Sequence, residues 1–243
     1  MRKADRQLFV FALSVCVVVS ALLSTAATVL KERQEREVEL DRKRNVLQAF
    51  GVDVRDEAGR RISAERVEEY FAENIREVIL EGQTGELIEG LTSAELDPRD
   101  LRDRERYLPL YLWHEDDEVS RYAFPISGQG LWSTIHGFLA LEDDLATIRG
   151  VTFYDHGETP GLGAEIEQDW FQSQFEGKVL YKDGEPADFQ VVKGGVERRY
   201  PEGNPSAVDG ISGATITADG VADFINRDFR RYNRYFETIR GEG

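Results

Sequence analysis

The chain has 243 residues, of which 46 are acidic and 30 are basic, so its formal net charge is −16 at pH 7. Such an acidic chain repels nucleic-acid phosphates, which argues against nucleic acid as a partner. Cys16 is the sole cysteine. The chain therefore excludes an intrachain disulfide and an iron–sulfur cluster ligated by its own cysteines. The three histidines are not at metal-ligand spacing, and we predict no metal site.

Residues 8–30 form an uncharged segment without Gly or Pro. As a helix rising about 1.5 Å per residue it would reach about 34 Å, enough to cross a hydrocarbon core of about 30 Å. The alternative is a cleaved signal peptide, whose apolar region is usually shorter. Basic residues flank both ends of the segment, but long C-terminal domains translocate largely regardless of flanking charge. We expect residues 1–7 to be cytoplasmic, residues 8–30 to be a transmembrane helix, and residues 31–243 to be extracytoplasmic.

The segment after the anchor, residues 31–50, is charged and free of Gly and Pro, and its weak apolar face indicates a helix. The sequence leaves open whether this helix packs on a domain or is a solvated stalk. Ser63 is an N-cap candidate for a second helix. Val67, Phe71, Ile75 and Ile79 recur at intervals of four, which predicts that this helix continues to Ile79. Asp97-Pro98 then predicts a break.

From Tyr107 onward, short aromatic and β-branched runs alternate with turn residues, which is typical of antiparallel strands. The runs are residues 107–113, 122–128, 133–142, 148–156, 177–184 and 188–195. The turn Lys182-Asp183-Gly184 predicts a hairpin. Residues 167–175 suggest a short helix, and residues 220–236 a longer one with an apolar side. We predict an α+β fold: one transmembrane helix followed by a mixed, largely antiparallel sheet domain with helices.

The sequence DGISGAT, residues 209–215, directly precedes the last predicted helix. Thr217 is a good N-cap candidate there, and the N-terminus of a helix favours an anion such as a phosphate. Glycines allow close approach of the backbone to a bulky ligand. From the residues alone, an ordinary capped turn explains the segment better than a ligand site does, because short Gly/Ser/Thr turns before helices are common.

The segment resembles the flavinylation motif D-x-x-S/T-G-A-T of the NqrC family, a family of subunits of the Na⁺-translocating NADH:quinone oxidoreductase, and of related FMN-binding domains. Residues 156–163, HGETPGLG, and residues 128–133, GQGLWS, followed by residues 137–141, GFLAL, resemble two further segments of that family in order and spacing. The resemblance implies FMN bound covalently by a phosphoester to Thr215. It places the FMN-binding region at about residues 120–243.

The resemblance also implies the remaining cofactor contacts. Leu162 would press on the flavin ring or else cover the core as a turn residue, and Trp132 would stack on the flavin or fill the core. Asp209 would serve recognition or positioning. No residue of the chain is expected to be catalytic. The other expected FMN contacts are Ser212, Gly213, Ala214, Glu158, Thr159, Gly161 and Gly163.

The function implied is that of an FMN-carrying electron relay, incomplete as an enzyme alone, in a complex that couples NADH oxidation and quinone reduction to Na⁺ export. The other subunits are implied as partners, with a Mg²⁺-dependent flavin transferase during maturation. The implied location is the bacterial inner membrane, single-pass, with the FMN domain periplasmic. Three alternatives remain: the FMN subunit of the Rnf electron-transport complex, a stand-alone membrane-anchored FMN-binding module, and a secreted protein without flavin.

Overall fold

The computed structural model describes residues 3–96, 103–116 and 118–241. It divides into two units, one ending at Arg42 and one beginning at Lys43. The predicted break at Asp97-Pro98 lies outside the described residues.

The first unit consists of most of helix α1, which runs over Lys3–Ala49. Within it, Phe9–Ala49 contains a stretch long and apolar enough to cross a membrane, and no other helix in the described ranges does. The side chains of residues 9–31 are exposed. The helix predicted over residues 31–50 is confirmed, since α1 includes them up to Ala49.

The second unit is built on a six-stranded antiparallel sheet in the order β2-β1-β3-β4-β5-β6. Its strands are β1 (Ile75–Glu81), β2 (Leu87–Ile88), β3 (Tyr107–Glu115), β4 (Glu118–Gln129), β5 (Thr134–Glu142) and β6 (Ile148–Asp155). Four of the six predicted runs thus form β3 to β6. The α+β prediction is confirmed.

Smaller elements complete this unit. They are the helices α2 (Ala64–Asn74), α3 (Asp169–Gln172), α4 (Val196–Arg199) and α5 (Thr215–Arg240), the hairpin of β7 (Tyr181–Lys182) and β8 (Glu185–Pro186), and the parallel pair β9 (Gln190–Val192) and β10 (Ala207–Asp209). The hairpin turn predicted at Asp183-Gly184 is confirmed, and both residues have positive φ. The predicted short helix is also confirmed, since α3 leads into a 3₁₀ turn at Ser173–Phe175.

The prediction that the second helix continues to Ile79 was wrong. Helix α2 ends at Asn74, although Ser63 does cap it by accepting from the N–H of Arg66. Ile75 begins strand β1, which pairs with β3 along its whole length. The run IREVILE is rich in β-branched residues, and pairing with β3 buries Val78, Ile79 and Leu80, so tertiary burial overrides the helical spacing.

The sheet is covered on both faces, which explains why its strands read as nearly continuous apolar runs. On one face Phe124 of β4 stacks on Tyr232 of α5, with ring centroids 4.4 Å apart. On the other face Val46 and Leu47 of α1 are buried, as is Phe50 directly after it, and the Phe50 and Trp113 ring centroids are 5.3 Å apart. The last residues of α1 therefore form a packed helix, whereas Val38 is exposed.

Candidate functional site

The carboxylate of Glu158 joins three segments that are far apart in the sequence. One oxygen, Oε2, accepts from the Thr217 hydroxyl at 2.6 Å. The other, Oε1, accepts from the backbone N–H groups of Trp132 at 2.9 Å and Ser133 at 3.4 Å. Glu158 is buried. We call this arrangement the Glu158 clamp: it holds the β4–β5 turn, the loop after β6 and the first turn of α5 together.

Two glycines make room for the Glu158 clamp. A Cβ added to Gly130 would lie 2.6 Å from Glu158 Oε1, and a Cβ added to Gly163 would lie 2.6 Å from Glu158 Oε2 and 2.8 Å from Thr217 Oγ1. A side chain at either position would therefore overlap the Glu158 carboxylate. Glycine at these positions therefore allows the carboxylate to reach the backbone.

The clamp stabilises the ionised form of Glu158. Burial acts to raise the pKa of Glu158, but hydrogen bonds from Thr217 and from the backbone N–H groups of the β4–β5 turn outweigh it and hold the pKa below its usual value. The buried charge is compensated by these donors and has no need of a basic partner.

Thr215 is the first residue of α5, and its side chain is partly exposed. The residue before the helix is Ala214, which provides no side-chain cap. The first N–H groups of a helix have no acceptor within it, and the helix dipole adds positive potential there. The start of this 26-residue helix is thus suited to an anion beside the Thr215 hydroxyl.

The prediction that Thr217 caps the last helix was wrong, as was the prediction that the helix begins near Gly220. Helix α5 begins at Thr215, so Thr217 lies in its first turn and is buried. Its hydroxyl donates to Glu158 instead of accepting from the helix backbone. The buried residues Val221, Phe224 and Ile225 follow Thr217 at helical spacing, and this periodicity could have shown that Thr217 faces inward.

The loop after β6 folds into a tight turn. The N–H groups of Leu162 and Ala164 both donate to the carbonyl of Thr159 at 3.1 Å, and Gly161 has a φ of 74°. Gly157 donates to the hydroxyl of Ser133 at 2.6 Å, a contact that the sequence did not indicate. These bonds fix the turn to the β4–β5 segment.

The two turns that carry the motifs lie against each other. Gly213 has a φ of 78°, and a Cβ added to it would lie 3.0 Å from Cδ2 of Leu162. Leu162 is nevertheless 42% exposed, and Ile216 beside Thr215 is 59% exposed. Trp132 is 68% exposed, so it does not fill the core. Apolar side chains therefore remain open to solvent on all three segments that the Glu158 clamp joins.

The other motif residues have separate environments. Ser212 and Gly213 are exposed, while Ala214 is buried. Asp209 ends β10, and its Oδ1 accepts from the N–H of Val196 at 2.6 Å, at the start of α4. The carboxylate of Asp209 thus braces the strand end against α4, and it makes no hydrogen bond to Thr215 or Ser212 within the described ranges.

Comparison with known proteins identifies the family to which this fold belongs. Residues 130–228 match the family model of the FMN-binding domain. The chain is 38% identical to the NqrC subunit of the Na(+)-translocating NADH-quinone reductase of Yersinia pestis, over 87% of this chain and 83% of that protein. It is 35% identical to the corresponding subunit of Vibrio alginolyticus, over 84% of this chain and 82% of that protein.

Two solved structures of the same subunit are also similar. The protein from Parabacteroides distasonis superposes with a TM-score of 0.69 at 28% identity, covering 85% of this chain and 96% of that one. Shewanella oneidensis NqrC superposes with a TM-score of 0.71 at 27% identity, covering 86% of this chain and 99% of that one. The fold and the match over residues 130–228 thus place this chain among proteins with an FMN-binding domain. More particularly, the chain belongs to the NqrC family of Na⁺-translocating NADH-quinone reductase subunits. The family resemblance seen in the three motifs is confirmed.

Proposed function

We propose that this protein carries FMN as a phosphoester on Thr215 and relays electrons within a Na⁺-translocating NADH:quinone reductase. The observation that carries the proposal is the position of Thr215 as the first residue of α5, with a partly exposed side chain and no side-chain cap before it. A phosphoester there would lie at the positive end of a 26-residue helix.

The surroundings of Thr215 fit the rest of the cofactor. A flavin ring needs apolar walls and a few polar groups, and Leu162, Ile216 and Trp132 are exposed on the segments that the Glu158 clamp joins. The clamp fixes these segments before the cofactor binds, so little ordering entropy opposes binding. Bound FMN would supply the redox chemistry, while the protein orients it and tunes its potential.

Attachment requires an external enzyme. A threonine hydroxyl is a weak nucleophile unless a base activates it, and in the described part of the chain Thr215 Oγ1 has no hydrogen bond to His, Asp or Glu. We propose a Mg²⁺-dependent flavin transferase with FAD as donor. The Thr215 oxygen bonds to the phosphorus of the FMN half, the pyrophosphate bond breaks, AMP leaves with the bridging oxygen, and the hydroxyl proton passes to a base of the transferase.

The relay would act from the membrane. The apolar stretch of α1 would anchor the protein in the bacterial inner membrane with a single span, residues 1–7 in the cytoplasm and the FMN domain in the periplasm. A covalent tether suits a compartment in which free FMN is scarce. The other subunits would supply the NADH site, the quinone site and the path of Na⁺.

The relay is tested in membranes of a host whose own NqrC has been deleted. Complementation with the parent chain and the flavin transferase should restore NADH-dependent quinone reduction, whereas Thr215→Ala should not. Thr238→Ala, which makes the same substitution at an exposed threonine near the other end of α5, is the matched control and should restore activity. Restoration by Thr215→Ala, with the complex assembled normally, would refute the relay.

A further inference from the structure

A cleft of about 360 Å³ lies between the C-terminal half of α5 and the segment that precedes β3. It is separate from the Glu158 clamp. We call it the arginine cleft, and its lining residues are Gly82, Gln83, Arg104, Glu105, Arg231 and Arg234. Three guanidinium groups thus converge from two elements in a chain whose formal net charge is −16.

A buried carboxylate fixes two of these guanidinium groups. Asp228 of α5 is fully buried and accepts from Arg104 Nη1 at 3.0 Å and from Arg231 Nη1 at 3.1 Å. It also accepts from the backbone N–H of Ser127 at 2.9 Å and from Arg227. Arg104 Nη1 donates in addition to the carbonyl of Pro125 at 2.8 Å. The charged groups are therefore positioned in advance of any ligand, which lowers the entropy cost of binding.

The third guanidinium group is held by the backbone. Arg234 Nη1 donates to the carbonyls of Gly82 and Gln83. Within the described ranges, Arg104, Arg231 and Arg234 each hydrogen-bond through Nη1 alone. A guanidinium carries five N–H donors, so each of the three retains donors for a ligand.

The charges around the arginine cleft do not cancel. Asp228 faces three guanidinium groups, those of Arg104, Arg227 and Arg231, which leaves an excess of two positive charges. Arg234 adds one positive charge, whereas Glu105 and Glu81, whose carboxylate interacts with Arg234, remove two, so an excess of one positive charge remains. Guanidinium groups bind the oxygens of phosphate bidentately. We propose that the arginine cleft binds a phosphate group, either inorganic phosphate or the phosphodiester of an anionic lipid headgroup.

The proposal is tested by calorimetric titration of the full chain in an uncharged detergent at constant ionic strength. The probes are sodium phosphate and a soluble short-chain phosphatidylglycerol, with sodium chloride and the matching phosphatidylcholine as references. Arg234→Gln leaves every hydrogen bond of Asp228 in place and should weaken phosphate-group binding roughly tenfold, the effect of one lost charge-assisted contact. Arg230→Gln alters an exposed arginine of the same helix that does not line the cleft, and it should bind like the parent.

A second measurement uses the unaltered protein. Phenylglyoxal modifies accessible arginines, and the bound probe should protect Arg231 and Arg234 but not Arg230 in peptide mass spectra. Saturable binding of phosphate alone, of the lipid alone or of both supports the site. Which probe binds identifies the source of the phosphate group. Binding of neither probe above its reference, or an equal loss of binding in Arg230→Gln, would overturn the proposal. FMN attachment is independent of these outcomes.

Discussion

The Thr217 hydroxyl donates to Oε2 of Glu158 at 2.6 Å, and both side chains are buried although 59 positions separate them in the sequence. This bond connects the first turn of the last helix, where the FMN-attachment residue is proposed, to the loop after β6 that presents Leu162. The backbone N–H groups of Trp132 and Ser133 bind the other carboxylate oxygen. The Glu158 clamp is thus the structural basis for bringing the three motifs together.

Removing the Thr217 hydroxyl should destabilise the fold without affecting flavin attachment. Thr217→Val keeps the shape but removes the donor to a buried carboxylate, so the free energy of unfolding should fall by about 1–3 kcal/mol. Urea denaturation measures this free energy of unfolding. Thr217→Ser, which keeps the hydroxyl donor, should lower the free energy of unfolding by less. In a double-mutant cycle the effects of Thr217→Val and Glu158→Gln should be non-additive. Additive effects would show that the two side chains act independently.

The stability of the protein should depend on pH through Glu158. The clamp holds the folded-state pKa of Glu158 below its usual value, so its contribution is complete above the unfolded-state pKa and is lost as pH falls through the folded-state pKa. In denaturant titrations between neutral and acidic pH, the stability difference between the parent and Glu158→Gln should therefore be constant near neutrality and shrink below about pH 4.5. A difference that stays constant throughout the acidic range would contradict this role.

Replacing Leu162 with Asp should alter the flavin but not its attachment. Leu162 is partly exposed beside Gly213, where a ring attached through Thr215 would contact it. A carboxylate near the ring would disfavour the reduced, anionic flavin, so the midpoint potential should fall and the absorption spectrum should shift. Leu87→Asp, at an exposed leucine on the edge strand β2, is the control. Identical spectra and potentials for parent and Leu162→Asp would show that Leu162 is only a turn residue.

The apolar stretch of α1 should remain in the mature protein. Residues 8–30 form an uninterrupted apolar segment, longer than the apolar region of a signal peptide. Intact-mass measurement and N-terminal sequencing of the membrane fraction should therefore find residues 8–30 present. A mature N-terminus near Thr28 would contradict the anchor.

The sequence predicted those parts of the fold that depend on local pattern. Strands β3 to β6 were predicted because their β-branched and aromatic runs are separated by clear turn residues. Strand β1 was missed because Ile75 and Ile79 continue the spacing of α2, and only pairing with β3 turns that segment into a strand. Thr217 was misassigned for a related reason. Its position near the helix start suggested a cap, but its partner Glu158 is remote in the sequence and becomes visible only in the folded chain.

The central claim is that Thr215 is the attachment residue, and peptide mass spectrometry tests it most directly. The full chain is coexpressed with a flavin transferase and purified, and its proteolytic peptides are mapped, alongside in-gel flavin fluorescence under denaturing conditions. We expect one FMN adduct, on Thr215, which disappears with its fluorescence in Thr215→Ala. That variant should still fold, because losing one hydroxyl at a helix start costs only about 1 kcal/mol. Thr217→Ser should keep the adduct. An adduct mapped to Ser212 or Thr217, or one that persists in Thr215→Ala, would contradict the claim.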